Sequence, residues 1–579
     1  MERTIRARCR RVTAVASAVG LFLVVTAPAV AAAGPLVVFH DSEAGVDQLP
    51  STVAGNALVE CPQGHAPSSD CYDPDTAVEP SIAVNPSDPL NVITAYQQGR
   101  ISNGGDAGNG YSVTFDGGQT WTHGNFPGLT VAVGGSYERS SDPVVDFLPD
   151  GTAIATGDAV NVNMSNVPSP TSIATWRSID GGLHWSNPVL ISIDDAHLTE
   201  PEPLAVEDKS WIAVDTGSGS GHHYQRIYVA WFRLGCQVCD TFAAYSDDEG
   251  MTWQTGPTGT GYVIEPASEA ISLPFVMPNG DLAVVAEDNL EAQVTDVDRI
   301  RLDVAPGAGA VATGGAIVFT AQHQIAVQQF NFPSQLAEAD YSIGATVDTH
   351  TDTSAPDGRI YVTWGDNRLR SDTTNDVLLS SSSDGGTTWT SPVRVNGGPT
   401  DDNVNHFAAT PAVLADGTLL VAYRQRQEDG SSGCSTCSLS VNTMAQASQD
   451  HGATFGGAVQ VNSITDDLRF AGVSHGGPFL GDYDEMAAAG DCAYVARAEP
   501  LQLSTTEPAQ MPPVVHHSRI FVGQVGNADC AQVGAALPDT SFAAALAVAG
   551  AFGAGIYMIA RRRRLRGVEH ALPRESAIR

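Results

Sequence analysis

Five short stretches of the chain are variants of one another, and their spacing restricts the fold more than any other feature. They are "TFDGGQTW" (Thr114 to Trp121), "SIDGGLHW" (Ser178 to Trp185), "SDDEGMTW" (Ser246 to Trp253), "SSDGGTTW" (Ser382 to Trp389) and "SQDHGATF" (Ser448 to Phe455). Their central carboxylates, Asp116, Asp180, Asp248, Asp384 and Asp450, stand 64, 68, 136 and 66 residues apart, and 136 is twice 68. One unit between Asp248 and Asp384 has therefore kept its length and lost its motif. A fixed period of this size means a repeated supersecondary unit that buries its apolar face against its neighbours. In such a turn Asp accepts hydrogen bonds from the N–H groups of its own loop, and Gly supplies the positive φ that closes it. The Ser or Thr hydroxyl ties the strand end, and the Trp packs between units. One carboxylate per unit is spread around a ring, so these five Asp residues read as structural staples and not as catalysts.

Each box follows a short apolar strand ("GYSVTF", "SIATWRS", "FAAYS"), and earlier in the unit comes a pair of strands around a polar turn, as in "APDGRIYVTWGDNR" and "PAVLADGTLLVAYRQR". The unit without a box keeps its pair in "ISLPFVMPNGDLAVVAEDN". Four short antiparallel strands per unit, repeated around a ring, predict an all-β fold, a β-propeller. Box spacing gives six blades and strand pairs give seven; a β-solenoid would need far shorter repeats.

Boxes of the form S-x-D-x-G-x-T-W at this period resemble those of the sialidase (neuraminidase) superfamily, over roughly residues 79–522. The resemblance implies a propeller of sialidase type and a glycoside hydrolase that releases terminal sialic acid. It also implies roles for particular residues. In "VEPSIAVNPSDPLNVITAYQQGR", Pro80 and Ser81 match the family's first-blade motif, whose Arg position is Val78 here, with Glu79 beside it. Asp106 falls where the family has its acid/base Asp. Tyr483, in "GDYDEMAAAGDCAYVAR", falls where it has a tyrosine nucleophile, with Glu485 or Asp482 as its base.

In a four-stranded meander the boxes, as turns between third and fourth strands, lie on one face, so a site is expected on the other. There several second strands end in Arg: Arg100, Arg233, Arg368, Arg424 and Arg497. Converging guanidinium groups would clamp a substrate carboxylate; alternatively each pairs with a loop Asp or Glu. The net charge of −36 excludes nucleic acid as a partner, and leaves Lys209 as the single lysine.

The ends concern the compartment. Residues 1–33 read as a signal peptide, with a basic start, a short apolar run and an A-x-A-like exit. Residues 34–78 form an N-terminal extension, 79–530 the propeller and 531–541 a linker. That linker carries "LPDTS", which resembles the LPxTG signal by which a sortase links surface proteins to the cell wall, with Ser541 in place of Gly. An uncharged stretch, 542–560, is long enough for a transmembrane helix, and a basic cytoplasmic tail, 561–579, follows. The expected location is the outer cell surface. Eight Cys residues remain there in near pairs, Cys61 with Cys71, Cys236 with Cys239, Cys434 with Cys437 and Cys492 with Cys530, and disulfides are the ordinary reading outside the cell. Zinc at the two C-x-x-C pairs would lack a His companion at finger spacing.

No cofactor is expected; calcium in acidic loops such as "SDDEG" has no ligand pattern of EF-hand type. Two alternatives stand beside the sialidase reading. One is a non-catalytic surface propeller that binds glycans or proteins through its loops. The other is a hydrolase of a neutral polysaccharide with two carboxylates, Glu79 and Asp106 first.

Overall fold

The computed structural model describes residues 36–49, 59–60, 71–101, 103–161, 171–193, 206–234, 240–265, 271–288, 298–330, 336, 343–349, 355, 358–428, 439–474, 477–501, 517–527 and 530. Strands dominate, and the helical elements among these residues are three-residue 3-10 turns such as Ala308–Ala310. No helix among them is long and apolar enough to cross a membrane. The segments read as signal peptide, sorting motif, span and tail lie outside the described residues.

Seven four-stranded antiparallel meanders follow one another among the described residues. The first comprises Cys71–Val84, Val92–Ile101, Asp106–Thr114 and Thr122–Asn125, and the second Arg139–Phe147, Ala153–Val160, Ser172–Ser178 and Val189–Ile193. The third is Val206–Val214, Ile227–Leu234, Thr241–Ser246 and Tyr262–Glu265, and the fourth Ser272–Val276, Leu282–Asp288, Asp298–Ala305 and Ala321–Gln328. The fifth spans Gly344–Asp348 to Val393–Arg394 and the sixth Val404–Val413 to Val459–Gln460. In the seventh, Glu485–Ala489, Cys492–Pro500 and Ser518–Gly526 take their fourth strand from the start of the chain, Val37–Gly45. Part of the expected N-terminal extension thus completes the last unit, and the boundary at 78/79 falls inside a strand.

Successive side chains of a strand point to opposite faces, and here both faces are covered, which explains the unbroken apolar runs. In the second strand of the second unit, Ala153 and Ala155 pack on the first unit while Ile154 packs on the third. Apolar clusters join units three and four, four and five, five and six, and six and seven. Ala44, Tyr494 and Val522 of the seventh unit meet Ile82 and Val92 of the first. The sheets therefore pack face to face in a closed cycle, a propeller architecture.

Every box lies between the third and fourth strands of its unit. Asp116 Oδ1 accepts from the Thr120 N–H (2.9 Å) and Oδ2 from the Thr120 hydroxyl (2.6 Å), while the Thr114 hydroxyl donates to Oδ1 (2.7 Å). The N–H bond recurs at Asp180, Asp248, Asp384 and Asp450. These bonds hold all five carboxyls below their ordinary range although burial opposes ionisation. The second glycine serves packing as well as the turn: a Cβ on Gly386 (φ 87°) would lie 2.1 Å from Leu302 Cδ2 of the preceding unit. The box tryptophans also reach across, Trp253 donating to Thr175 Oγ1 (3.2 Å) and Trp121 to Ser42 Oγ (3.1 Å).

Cys492 and Cys530 are joined by a disulfide with Cα atoms 4.9 Å apart. Cys61, Cys236, Cys239, Cys434, Cys437 and the side chain of Cys71 lie outside the described residues.

Candidate active site

The first strands of four units carry the same irregularity. Pairing with the second strand slips between Val78 and Ser81, between Ser141 and Val144, between Asp208 and Trp211, and between Phe407 and Thr410. A residue inside each slip has positive φ: Glu79 (52°), Asp142 (45°), Lys209 (53°) and Ala408 (50°). Side chains other than Gly resist this conformation, which persists where surrounding structure over-determines it, commonly at functional sites. A bulge also re-aims the side chain it carries. Three of these four side chains are charged, and those three meet.

Lys209 Nζ donates to Asp482 Oδ2 (2.8 Å), Asp142 Oδ1 (3.0 Å) and Glu79 Oε1 (3.3 Å). The Tyr483 hydroxyl donates to Asp142 Oδ1 (3.2 Å), and its ring meets Trp211 edge-on with centroids 5.0 Å apart. Gln97 bridges Glu79 and Ser141 through its amide N–H groups. Asp158 Oδ2 accepts the backbone N–H of Lys209 (2.9 Å). Arg100 donates to Gln97 Oε1 (2.6 Å) and Ser474 Oγ (3.0 Å), lies 3.7 Å from Glu79 Oε2, and stacks over Phe479. Beside it Asp106 accepts from the Ser140 hydroxyl (2.5 Å). The centre lies in the part of the first strands away from the boxes, on the face where a site was expected.

This arrangement separates the carboxyl groups by protonation. Burial works against an ionised Asp142, but the charge and hydrogen bond of Lys209, with Ser141, outweigh it and hold its pKa down at about 2. Burial pushes Asp106 up to about 8, more than the Ser140 bond and the Arg100 charge bring it down. Burial and the neighbouring Asp142 and Asp482 push Glu79 up, against the pull of Lys209. Asp158 is raised by burial and by the charges of Asp142 and Asp208. Burial, with the charges of Asp142 and Glu79, pushes the Tyr483 phenol well above its ordinary range. Lys209 is held well above its own range: burial disfavours its charge, and Asp142, Asp482 and Glu79 more than offset that.

Of the residues expected from sequence, Asp106, Tyr483, Arg100, Glu79 and Asp482 come together here. Glu485 does not serve Tyr483: its carboxyl accepts the Ile82 N–H (2.8 Å), and burial raises it to about 8. The hydroxyl partner is Asp142, a residue on a different unit. Val78, at the position where sialidases have Arg, packs among Ala77, Tyr96, Phe479 and Ile520; the neighbouring Glu79 is the one that faces the centre. The other arginines do not form a free clamp. Arg233 is paired with Glu207, and Arg368 with Asp366. Arg424 takes Asp484 in a two-point contact (2.6 and 2.7 Å), and Arg497 pairs with Asp41 (2.6 Å) and Glu499. In a chain this acidic, a guanidinium finds a carboxylate nearby.

Sequence reading missed Asp142, Asp158, Asp208 and the role of Lys209. A signal for Asp142, Asp208 and Lys209, though not for Asp158 on a second strand, exists: "EPSIAV", "DPVVDF" and "DKSWIAV" occupy equivalent first strands, each with a charged residue ahead of the apolar run. Asp142, Asp158 and Asp208 each place a carboxylate oxygen within 4.8 Å of the other two. Lys209 already supplies positive charge to Asp142, so a metal is not needed to hold that carboxylate ionised.

No family model matches the chain. Among solved structures it is similar to an α-L-arabinofuranosidase from Fusarium graminearum, with 13% identity, 67% of this chain and 92% of the other covered, and a TM-score of 0.39. It is similar to the intramolecular trans-sialidase from Ruminococcus gnavus, with 12% identity, coverage of 61% and 90%, and a TM-score of 0.40. A protein of unknown function from Dyadobacter fermentans is similar at 13% identity, coverage of 85% and 99%, and a TM-score of 0.40. Likeness of this degree assigns neither a substrate nor a residue role.

Proposed function

We propose that the chain is a glycoside hydrolase on a seven-bladed propeller of sialidase type, acting on a glycan whose reacting sugar is uncharged. The observation that carries this reading is the convergence of Glu79, Asp142 and Lys209 from three positive-φ bulges. Two carboxyl groups whose surroundings drive their pKa values apart are what acid–base catalysis requires. Asp106, protonated at neutral pH, would give its proton to the leaving glycosidic oxygen. Asp142, ionised, would attack the anomeric carbon or take a proton from the attacking water. Tyr483 would hold Asp142 in place through its hydroxyl; a raised phenol pKa counts against its acting as the nucleophile itself.

An uncharged sugar is favoured over sialic acid for two reasons. Among the described residues Asp482 Oδ1 is buried without a hydrogen-bond partner, an acceptor suited to a sugar hydroxyl, and Asp106 Oδ2, also without one, is where the donated proton would sit. Four of the five arginines that would hold a substrate carboxylate, Arg233, Arg368, Arg424 and Arg497, are paired with the protein's own. The terminal segments support placement at the outer cell surface, with membrane or cell-wall attachment at the C-terminus. A second reading, a recognition module without catalysis, has in its favour that no Glu79, Asp142, Lys209 or Asp482 side chain exceeds 9% exposure.

The test is hydrolysis of a panel of neutral aryl glycosides and an aryl sialoside by the exported domain, with Asp106→Asn, Asp142→Asn and Tyr483→Phe variants. Turnover of a neutral glycoside that either Asp change abolishes is expected. Turnover of the sialoside alone, lost in Tyr483→Phe, overturns the uncharged-sugar reading. No turnover by folded protein leaves the recognition module.

A further inference from the structure

The fourth unit lacks an Asp box, and its junction with the third is built differently from the others. Where a box would stand, residues 306–320 form a turn containing the 3-10 segment Ala308–Ala310, and this stretch carries no charged residue. Arg226 reaches it from the third unit, donating to Ala308 O (2.8 Å) and Val311 O (2.9 Å). Asp247 holds the same guanidinium at two points (2.6 and 2.9 Å) and accepts from the Thr313 hydroxyl (2.6 Å). Three backbone turns close tightly around this seam. A Cβ on Gly280 would lie 2.0 Å from Gly221 O, and one on Gly309 would lie 2.4 Å from the same oxygen.

His222 sits in this seam with an acceptor on each ring nitrogen. Nδ1 lies 2.7 Å from Asp215 Oδ1, and Nε2 lies 2.8 Å from Pro278 O, in the turn between the first and second strands of the fourth unit. A carboxylate and a carbonyl both need a donor, and only the doubly protonated ring has two. A neutral ring that keeps its proton toward Asp215 turns a lone pair toward the Pro278 carbonyl. The side chain is 11% exposed, so a neutral ring leaves the Pro278 carbonyl without the donor that ties the two turns together.

We propose that the seam between the third and fourth units is a proton-operated joint, closed while His222 is an imidazolium and loosened when it loses its proton. Charged and titratable groups face His222 from three units. From its own turn these are Asp215, which also accepts from the N–H groups of Gly217 and His223, together with Arg226 and His223. Asp247 comes from the turn after the third strand of the same unit, and Asp281 from the fourth unit, where it accepts the Gly307 N–H (2.5 Å). Asp150 approaches Gln225 from the second unit. Burial disfavours the imidazolium, and the Pro278 and Asp215 bonds outweigh it, so His222 is raised above its ordinary range. Its contribution is therefore full below about pH 6.5 and is lost as pH rises through the folded value. The joint lies on the box face, away from the carboxylate centre, and does not depend on the proposed catalysis.

The test combines histidine-selective NMR titration of the full chain with amide exchange at pH 6 and 8.5, corrected for intrinsic rates. Expected are a His222 midpoint above 6.5 and a several-fold loss of protection in 277–281 and 306–313 at the higher pH. His223→Gln should keep that pH dependence, His222→Gln should abolish it, and Asp215→Asn should lower the His222 midpoint. A His222 midpoint at or below 6.5, or turns equally protected while His222 loses its proton, overturns the proposal.

Discussion

Replacing Lys209 by Met removes the only ammonium group from a buried set of three carboxylates, and the size of the effect can be worked from the centre's geometry. The Nζ atom lies 2.8, 3.0 and 3.3 Å from Asp482, Asp142 and Glu79. Asp142 is held at about 2 chiefly by this lysine, against burial. Without it Asp142 returns at least to the ordinary value near 3.9, about two units, or about 3 kcal/mol at ~1.4 kcal/mol per unit. That agrees with the ~3–5 kcal/mol typical of breaking one partner out of a buried ion pair. Because the folded pKa of Asp142 is depressed, its contribution is present above the unfolded value near pH 4 and is lost as pH falls through about 2. Urea unfolding followed by circular dichroism should therefore show Lys209→Met about 3 kcal/mol or more below the native chain at pH 7. The gap should narrow as pH falls below about 4, where unfolded Asp142 is already protonated. Lys209→Arg, which keeps the charge, should lose less. A Lys209→Met chain within about 1 kcal/mol of native at pH 7, the worth of an exposed pair, would refute the buried-centre argument.

If Asp106 is the general acid, kcat/KM on a neutral glycoside should fall as pH rises through about 8, where its carboxyl ionises, and Asp106→Asn should remove the activity carrying that limb. Gly386→Ala should cost roughly 1–3 kcal/mol through contact with Leu302. Gly385→Ala, whose Cβ would meet only Met277 Cε at 3.9 Å, should cost less; equal losses would mean that backbone strain alone sets the penalty. Reduction of Cys492–Cys530, which closes a separation of 38 residues, should lower stability by ~4 kcal/mol on the chain-entropy account, seen as a lower urea midpoint in dithiothreitol.

What the sequence determined by itself is the repeat. Asp116, Asp180, Asp248, Asp384 and Asp450 make local bonds within five residues of chain, so the motif is complete in one dimension and its period announces the sheets. Strand pairs around polar turns reveal even the unit that lost its box, since alternation and turn residues are also local. The Cys492–Cys530 pair, 38 residues apart, was legible from the order of the cysteines along the chain and not from a local pattern. The centre was not, because it joins residues hundreds of positions apart. Asp142 and Tyr483 are 341 residues apart in sequence, and Lys209 and Asp482 are 273 apart. Neither spacing nor composition tells which of 65 acidic residues stands beside the single lysine. Only the closed ring of sheets decides this, by bringing one bulge from each of several first strands to a common axis. The arginines show the converse: their recurrence at strand ends is real, but in so acidic a chain a nearby carboxylate captured Arg233, Arg368, Arg424 and Arg497 first, and sequence carries no measure of that competition.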